Sequence, residues 1–115
     1  MHTSAFQYLG IEAVFHRYLV KQGDLAQSVE GAKALGFSGL NVTIPFKEEV
    51  FNLMESDKLA QQIGAANVID FNNGRAYNTD GPGAALALKE EGVSLKDCSI
   101  LILGAGGGAK ALSFQ

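Results

Sequence analysis

The sequence has a single cysteine, Cys98, so it contains no internal disulfide framework and no cysteine-based metal site. That usage fits a reducing compartment, and the cytoplasm is the expectation. It also lacks an excess of positive charge. Nine Lys and Arg stand among twelve Asp and Glu, giving a formal net charge of −3, which argues against an electrostatic grip on nucleic acid or an anionic membrane. No apolar run approaches the roughly 20 residues that span a bilayer, and no secretory leader is visible. Internal repeats and low-complexity linkers are missing as well. What the chain does have is 115 residues, 47% hydrophobic and 18% charged, enough for one modest globular domain and too few for two complete ones. Glycine is abundant at 14 residues, with a cluster at 104–108 that directs attention to phosphate binding.

Residues 11–20, IEAVFHRYLV, predict a strand. A helix is expected over 24–36, where Leu25, Val29 and Ala32 share one face. Asp24 is its candidate cap, Gln27 holds the capping-box position and Gly36 is its stop. A strand over 39–44 follows, with Leu40, Val42 and Ile44 on one side and Asn41 and Thr43 on the other. The next helix is expected from Pro45, with Phe46, Val50, Leu53 and Met54 as its apolar stripe, and a short one over about 56–63 ends at Gly64. Asn73-Gly74 signals a two-residue hairpin turn that pairs 72 with 75, 69 with 78 and 67 with 80. A helix over about 82–91 precedes the apolar run and glycine-rich turn of 99–115. Helices alternating with apolar strands predict an α/β fold with a mainly parallel open sheet.

Three groups of residues are candidates for chemistry. Gly104, Gly106 and Ala109 form G-x-G-x-x-A between an expected strand and an expected helix, the context in which backbone amides approach a pyrophosphate. The same pattern also suits a glycine-rich turn that holds nothing. Lys47 falls in the first turn of its helix, where a cation opposes the macrodipole by about 0.3–1 kcal/mol, a field favouring the neutral, proton-accepting amine. A solvated surface lysine, offset by Glu48 and Glu49, is the plain alternative. Asn41 and Thr43 at one strand end, and Asn67 facing Asp80 across the hairpin, form two polar pairs near the crevice that open α/β sheets present to ligands. Their ordinary alternative is turn and cap duty.

The stretches NVTIPFKEEV, IGAANVI, YNTDGPG and LGAGGGAKA, in this order, closely resemble the shikimate dehydrogenase family and together span almost the whole chain. The resemblance implies a substrate-binding domain at 1–80, a connecting helix and linker at 81–98, and the opening of an NADP-binding Rossmann domain at 99–115. It implies NADP-dependent, reversible reduction of 3-dehydroshikimate to shikimate on the route to chorismate and aromatic amino acids. In that picture Lys47 handles the proton at the reacting oxygen, and Asp80 holds the same hydroxyl and positions Lys47. Asn67 and Thr43 line the substrate pocket, with Asn41 a further contact. Gly104, Gly106 and Gly107 approach the dinucleotide pyrophosphate, with Ala105, Gly108 and Ala109 completing the turn. No metal is implied.

The sequence departs from the family at both ends. The serine-containing turn that holds the substrate carboxylate, and the central strand before it, are expected upstream of Met1-His2-Thr3, with Thr3 standing where Asn is usual. The nucleotide domain stops within its first helix, so the chain reads as a piece truncated at both ends, with negligible activity alone. A relative that takes quinate or uses NAD, and a non-catalytic remnant or small binding module, are the alternative readings. Loss of the neighbour of strand 11–20 predicts marginal stability, a homodimer or strand exchange between chains.

Overall fold

The computed structural model describes residues 2–114. In chain order it contains α1 (His2–Tyr8), α2 (Leu25–Ala34), β1 (Gly39–Asn41), α3 (Lys47–Leu53), α4 (Lys58–Ile63), β2 (Val68–Asp70), β3 (Arg75–Tyr77), α5 (Asp80–Glu90) and α6 (Gly107–Ser113). The α/β class is as expected, and the sheet differs in its pairing. Its three strands run in the order β1-β2-β3, and both neighbours are antiparallel. The short 71–74 connection permits nothing else between β2 and β3. The strands expected to supply parallel neighbours, at 11–20 and 99–103, are not formed. Both segments have the apolar pattern of a strand, but a strand exists only where a partner takes its backbone groups. Their side chains are correspondingly bare, with Leu19 98% and Leu103 89% exposed.

Helix α2 buries Leu25 and Val29, the i, i+4 pair, while Ala32 is only half-buried. Asp24 occupies the N-cap position without a side-chain cap bond; its carbonyl instead accepts the Ser28 N–H at 2.9 Å. Gly36, at φ +78°, takes the left-handed conformation that ends the helix. Helix α3 starts at Lys47 rather than Pro45, which lies in a turn closed by the Phe46 N–H donating to the Thr43 carbonyl at 2.9 Å. Val50 carries its buried face, with Phe46, Phe51 and Met54 packed around it, whereas Leu53 remains 43% exposed. Asp57 caps α4 by accepting the Ala60 N–H at 3.0 Å.

The hairpin register also departs from expectation. Asp70 pairs with Arg75, Ile69 with Ala76 and Val68 with Tyr77, so the loop has four residues instead of two. Side chains build the wider turn: Asp70 accepts the Asn72 N–H at 2.9 Å, and Asn73 accepts the Arg75 N–H at 3.1 Å. The displacement is by an even number of residues, so the same faces remain in the core. Ile69 and Ala76 join Leu25, Val29, Val50, Ala60 and Ala66 there. A second cluster of Ile63, Ala65 and Ala111, backed by Leu59, fastens α6 to α4.

These cores are modest. The accessible surface is 8450 Å², against roughly 6,000 Å² for a compact monomer of this mass. The radius of gyration is 15.5 Å, against about 13 Å for a compact domain of this length. Much of the excess apolar surface lies on the two unpaired segments, where Val14, Tyr18, Leu19, Ile100, Leu101 and Leu103 are all exposed.

Candidate functional site

The polar cluster forms where three chain segments meet: the start of α3, the 64–67 connection into β2, and the start of α5. The Ala66 N–H donates to the Lys47 carbonyl at 2.9 Å, which fixes the α3 end beside this connection. Asn78, 3% exposed, secures the α5 end. Its Nδ2 donates to the Ala65 carbonyl at 2.9 Å, and its Oδ1 accepts the Asp80 N–H at 3.1 Å. Ala65 and Ala66 are themselves fully buried, so both helix starts are anchored to a segment that cannot easily move.

This framework brings Lys47 Nζ to 2.6 Å from Asp80 Oδ2. The other carboxylate oxygen, Oδ1, accepts from Asn67 Nδ2 at 2.8 Å. Asn67 Nδ2 also lies 3.0 Å from Thr79 Oγ1, and Asn67 Oδ1 accepts the Thr79 N–H at 2.9 Å. Asn67 and Asp80 thus meet although the register differs from expectation, because Asp80 opens α5 instead of ending β3. The first turn of α5 favours the Asp80 carboxylate, while that of α3 opposes the Lys47 ammonium. The ion pair, together with Glu48 and Glu49 in the same turn, offsets that opposition. The Lys47 and Asp80 side chains remain 18% and 30% exposed, so a small molecule can reach both. An ammonium and a carboxylate held this way can share a hydroxyl between them, one donating and the other accepting.

The remaining candidates lie elsewhere. Asn41 Nδ2 is 3.1 Å from His2 Nε2, and Asn41 lines a groove of ≈ 640 Å³ with His2, Phe6, Phe15, Tyr18 and Phe37 among its walls. None of Lys47, Asn67 or Asp80 borders that groove. Among the described residues the lining of that groove carries no ion pair comparable to Lys47–Asp80. Thr43 is exposed, and among the described residues its hydroxyl makes no hydrogen bond. Thr79 and Asn78 carry contacts that motif spacing did not single out. Their only signal was position, two polar residues immediately before a helix, which reads as ordinary capping.

The glycine-rich turn lies close to the cluster. Gly104 has φ +134°, a conformation that side chains rarely adopt, and Gly106 is the extended N-cap of α6. No acidic residue stands in the first turn of α6 itself. Gly104, Ala105 and Gly106 are exposed, whereas Gly107, Gly108 and Ala109 are half-buried. This donor arrangement fits a phosphate group. Gly107 itself abuts Lys47 and Ala65, and Lys110 Nζ pairs with Glu48 Oε1 at 2.6 Å. Among the described residues no helix is long and apolar enough to cross a membrane.

Fold and cluster together define a small α/β substrate-binding type of domain, in which a Lys–Asp–Asn cluster adjoins a glycine-rich turn. Residues 1–69 match the family described as the shikimate dehydrogenase substrate binding domain. The chain belongs to that family. It is similar to the shikimate dehydrogenase (NADP(+)) of Methanococcoides burtonii, 49% identical over 99% of this chain and 43% of the relative. The corresponding protein of Methanocaldococcus jannaschii is 48% identical over 100% of this chain and 42% of its own length. Among solved structures, a shikimate dehydrogenase in complex with NADP+ superposes with a TM-score of 0.91 at 46% identity, covering 98% of this chain and 40% of that one. The Thermus thermophilus enzyme in complex with shikimate gives 0.90 at 33% identity, over 98% of this chain and 44% of that one. The chain therefore spans less than half the length of these relatives.

Proposed function

We infer that this chain is the substrate-side part of an NADP-dependent shikimate dehydrogenase, an oxidoreductase acting on a CH–OH group. The observation that carries the reading is the Lys47–Asp80 contact at 2.6 Å, with Asn67 holding the second carboxylate oxygen. Lys47 and Asp80 are the catalytic pair. The Asp80 carboxylate and Lys47 grip the reacting hydroxyl; the neutral Lys47 amine takes its proton during oxidation and becomes the ammonium, which returns the proton during reduction. Asn67 and Thr43 bind the other hydroxyls of the ring, and Asn41 contributes at the margin. Residues 1–80 form the substrate-binding unit, 81–98 the connection and 99–115 the start of the nucleotide unit. The terminal residues Met1 and Gln115 lie outside the described residues.

Gly104 through Ala109 would receive the pyrophosphate of NADP, which when bound supplies or accepts the hydride. The exposed turn at 104–106 and the absence of a first-turn acid support that role. A solved relative from Listeria monocytogenes holds shikimate and NAD, which keeps NAD as the alternative partner. The activity belongs in the cytoplasm, where the exposed thiol of Cys98 stays reduced. The bare apolar segments at 11–20 and 99–103 favour self-association through strand pairing.

Isothermal titration with shikimate tests the reading. Saturable binding that is lost in Asp80→Ala supports it. Binding that survives Asp80→Ala places the ligand elsewhere and overturns it. No heat with the unaltered chain supports the remnant reading instead.

A further inference from the structure

Gly107 has a backbone that any residue could adopt; its φ is not in the left-handed range, and it sits at the first position of α6. Alanine is intrinsically better there, because glycine loses more backbone freedom when it enters a helix. A phosphate taken by the backbone amide at 107 does not by itself require glycine there, since every residue but proline carries that amide. What glycine does supply at 107 is space. A Cβ at this position would stand 3.2 Å from Ala65 Cβ, 3.4 Å from Lys47 Cβ and 3.6 Å from Lys47 Cδ. The neighbours on both sides are constrained. Ala65 is 0% exposed, and its carbonyl is held by Asn78. The Lys47 stem is bounded by α6 on one side and drawn to Asp80 at its tip.

We propose that Gly107 is a positioning residue for Lys47: the missing side chain lets the first turn of α6 lie directly on the lysine stem and hold its amine against Asp80. Lys110, one turn further along α6, pairs with Glu48, the residue after Lys47, and keeps the two helix starts pressed together. The glycine-rich turn and the Lys47–Asp80 pair are therefore one mechanical unit, in which the orientation of the lysine depends on where α6 sits. The functional meaning rests on the reading of Lys47 and Asp80 as the reacting pair, but the contact can be tested without it.

The test is pulsed acetylation of the whole chain, with the modification of each lysine read by peptide mass spectrometry. Lys58, exposed at the start of α4, is the internal reference. Asp80→Asn is the control that frees the lysine tip directly. In Gly107→Ala the Lys47/Lys58 ratio should rise at least threefold, while the Lys110/Lys58 ratio stays within twofold of the parent. Adding Ala65→Gly, which gives α6 room to retreat from the lysine, should return the Lys47 ratio towards the parent value. An unchanged Lys47 ratio in Gly107→Ala would overturn the proposal. So would a joint rise at Lys47 and Lys110 with a lowered thermal midpoint, because that pattern means α6 has simply detached. Shikimate titration of the same proteins reports separately on the functional reading: a parent chain that gives no heat sinks that reading and leaves the labelling result to decide on Gly107.

Discussion

Replacing Asp80 and Lys47 singly and together measures whether the contact at the centre of the site is an energetic one. Three interactions of the Asp80 carboxylate are visible: the ion pair with Lys47, the bond from Asn67, and its place in the first turn of α5. Asp80→Asn keeps an acceptor for Asn67 and removes the charge. The pair is neither fully exposed nor fully buried, at 18% and 30%. Its loss should fall between the ~0–1 kcal/mol of surface pairs and the ~3–5 kcal/mol of a truncated buried pair, or about 1–2 kcal/mol. Asp80→Ala also removes the Asn67 bond and any local dipole of the replacement side chain, and should cost about 1 kcal/mol more. In the double-mutant cycle with Lys47→Met, the coupling energy should be about 1 kcal/mol. Urea denaturation followed by circular dichroism supplies all four stabilities. Equal costs for Asn and Ala at 80, or a coupling energy indistinguishable from zero, would refute the reasoning, because the contact would then contribute nothing beyond proximity.

Other expectations follow from the same geometry. Asn78→Ala leaves the Ala65 carbonyl and the Asp80 N–H without their buried partner, so it should destabilise the fold by about 1–3 kcal/mol in the same urea assay. A cost under half of that would show that water replaces the amide. Gly39→Ala drives a Cβ into the Ile69 carbonyl across the β1–β2 pair, where backbone cannot yield cheaply, and should cost about 1–3 kcal/mol; a neutral result would contradict the β1–β2 register. The 115-residue chain alone should show negligible NADP-dependent oxidation of shikimate, and a measurable rate of NADPH formation would refute that. Sedimentation velocity should reveal self-association that grows with concentration, driven by the bare segments 11–20 and 99–103. A monomer with a sharp, concentration-independent melt would count against it.

What could be read from the sequence divides along a physical line. Helices α2, α4 and α5 follow from local signals: an i, i+4 apolar pair at Leu25 and Val29, an Asp57 cap, and Gly36, Gly64 and Gly92 with positive φ at their ends. Each of those features is decided within a few residues. Segments 11–20 and 99–103 have equally good local strand patterns and form no strand, because strand formation is decided by a partner that lies outside the segment. The hairpin register differs from the Asn73-Gly74 expectation for a related reason. Asn73-Gly74 favours a two-residue turn, but side-chain bonds from Asp70 and Asn73 stabilise a wider one.

The site shows the same division. Lys47 is legible because a cation at a helix start opposes the local field, and Asn67 and Asp80 because the hairpin sets them near each other; the structure brings all three together. Asn41 also stands at a strand end, yet its side chain turns to His2 in the other groove. Nothing in local spacing separates the two outcomes. The Gly107–Lys47 contact was invisible for a further reason: the signal is the absence of a side chain, and a glycine in a glycine-rich turn already has a sufficient local explanation.

The most direct test of the central claim is a shikimate titration of the uniformly ¹⁵N-labelled chain, followed by amide NMR. The account predicts that the Asn67 side-chain amide and the backbone amides of Lys47, Thr79 and Asp80 move together and saturate at a single affinity. Perturbations confined to the groove walls, such as Phe15, Phe37 and Leu40, with Asn67 and Asp80 unmoved, would contradict it.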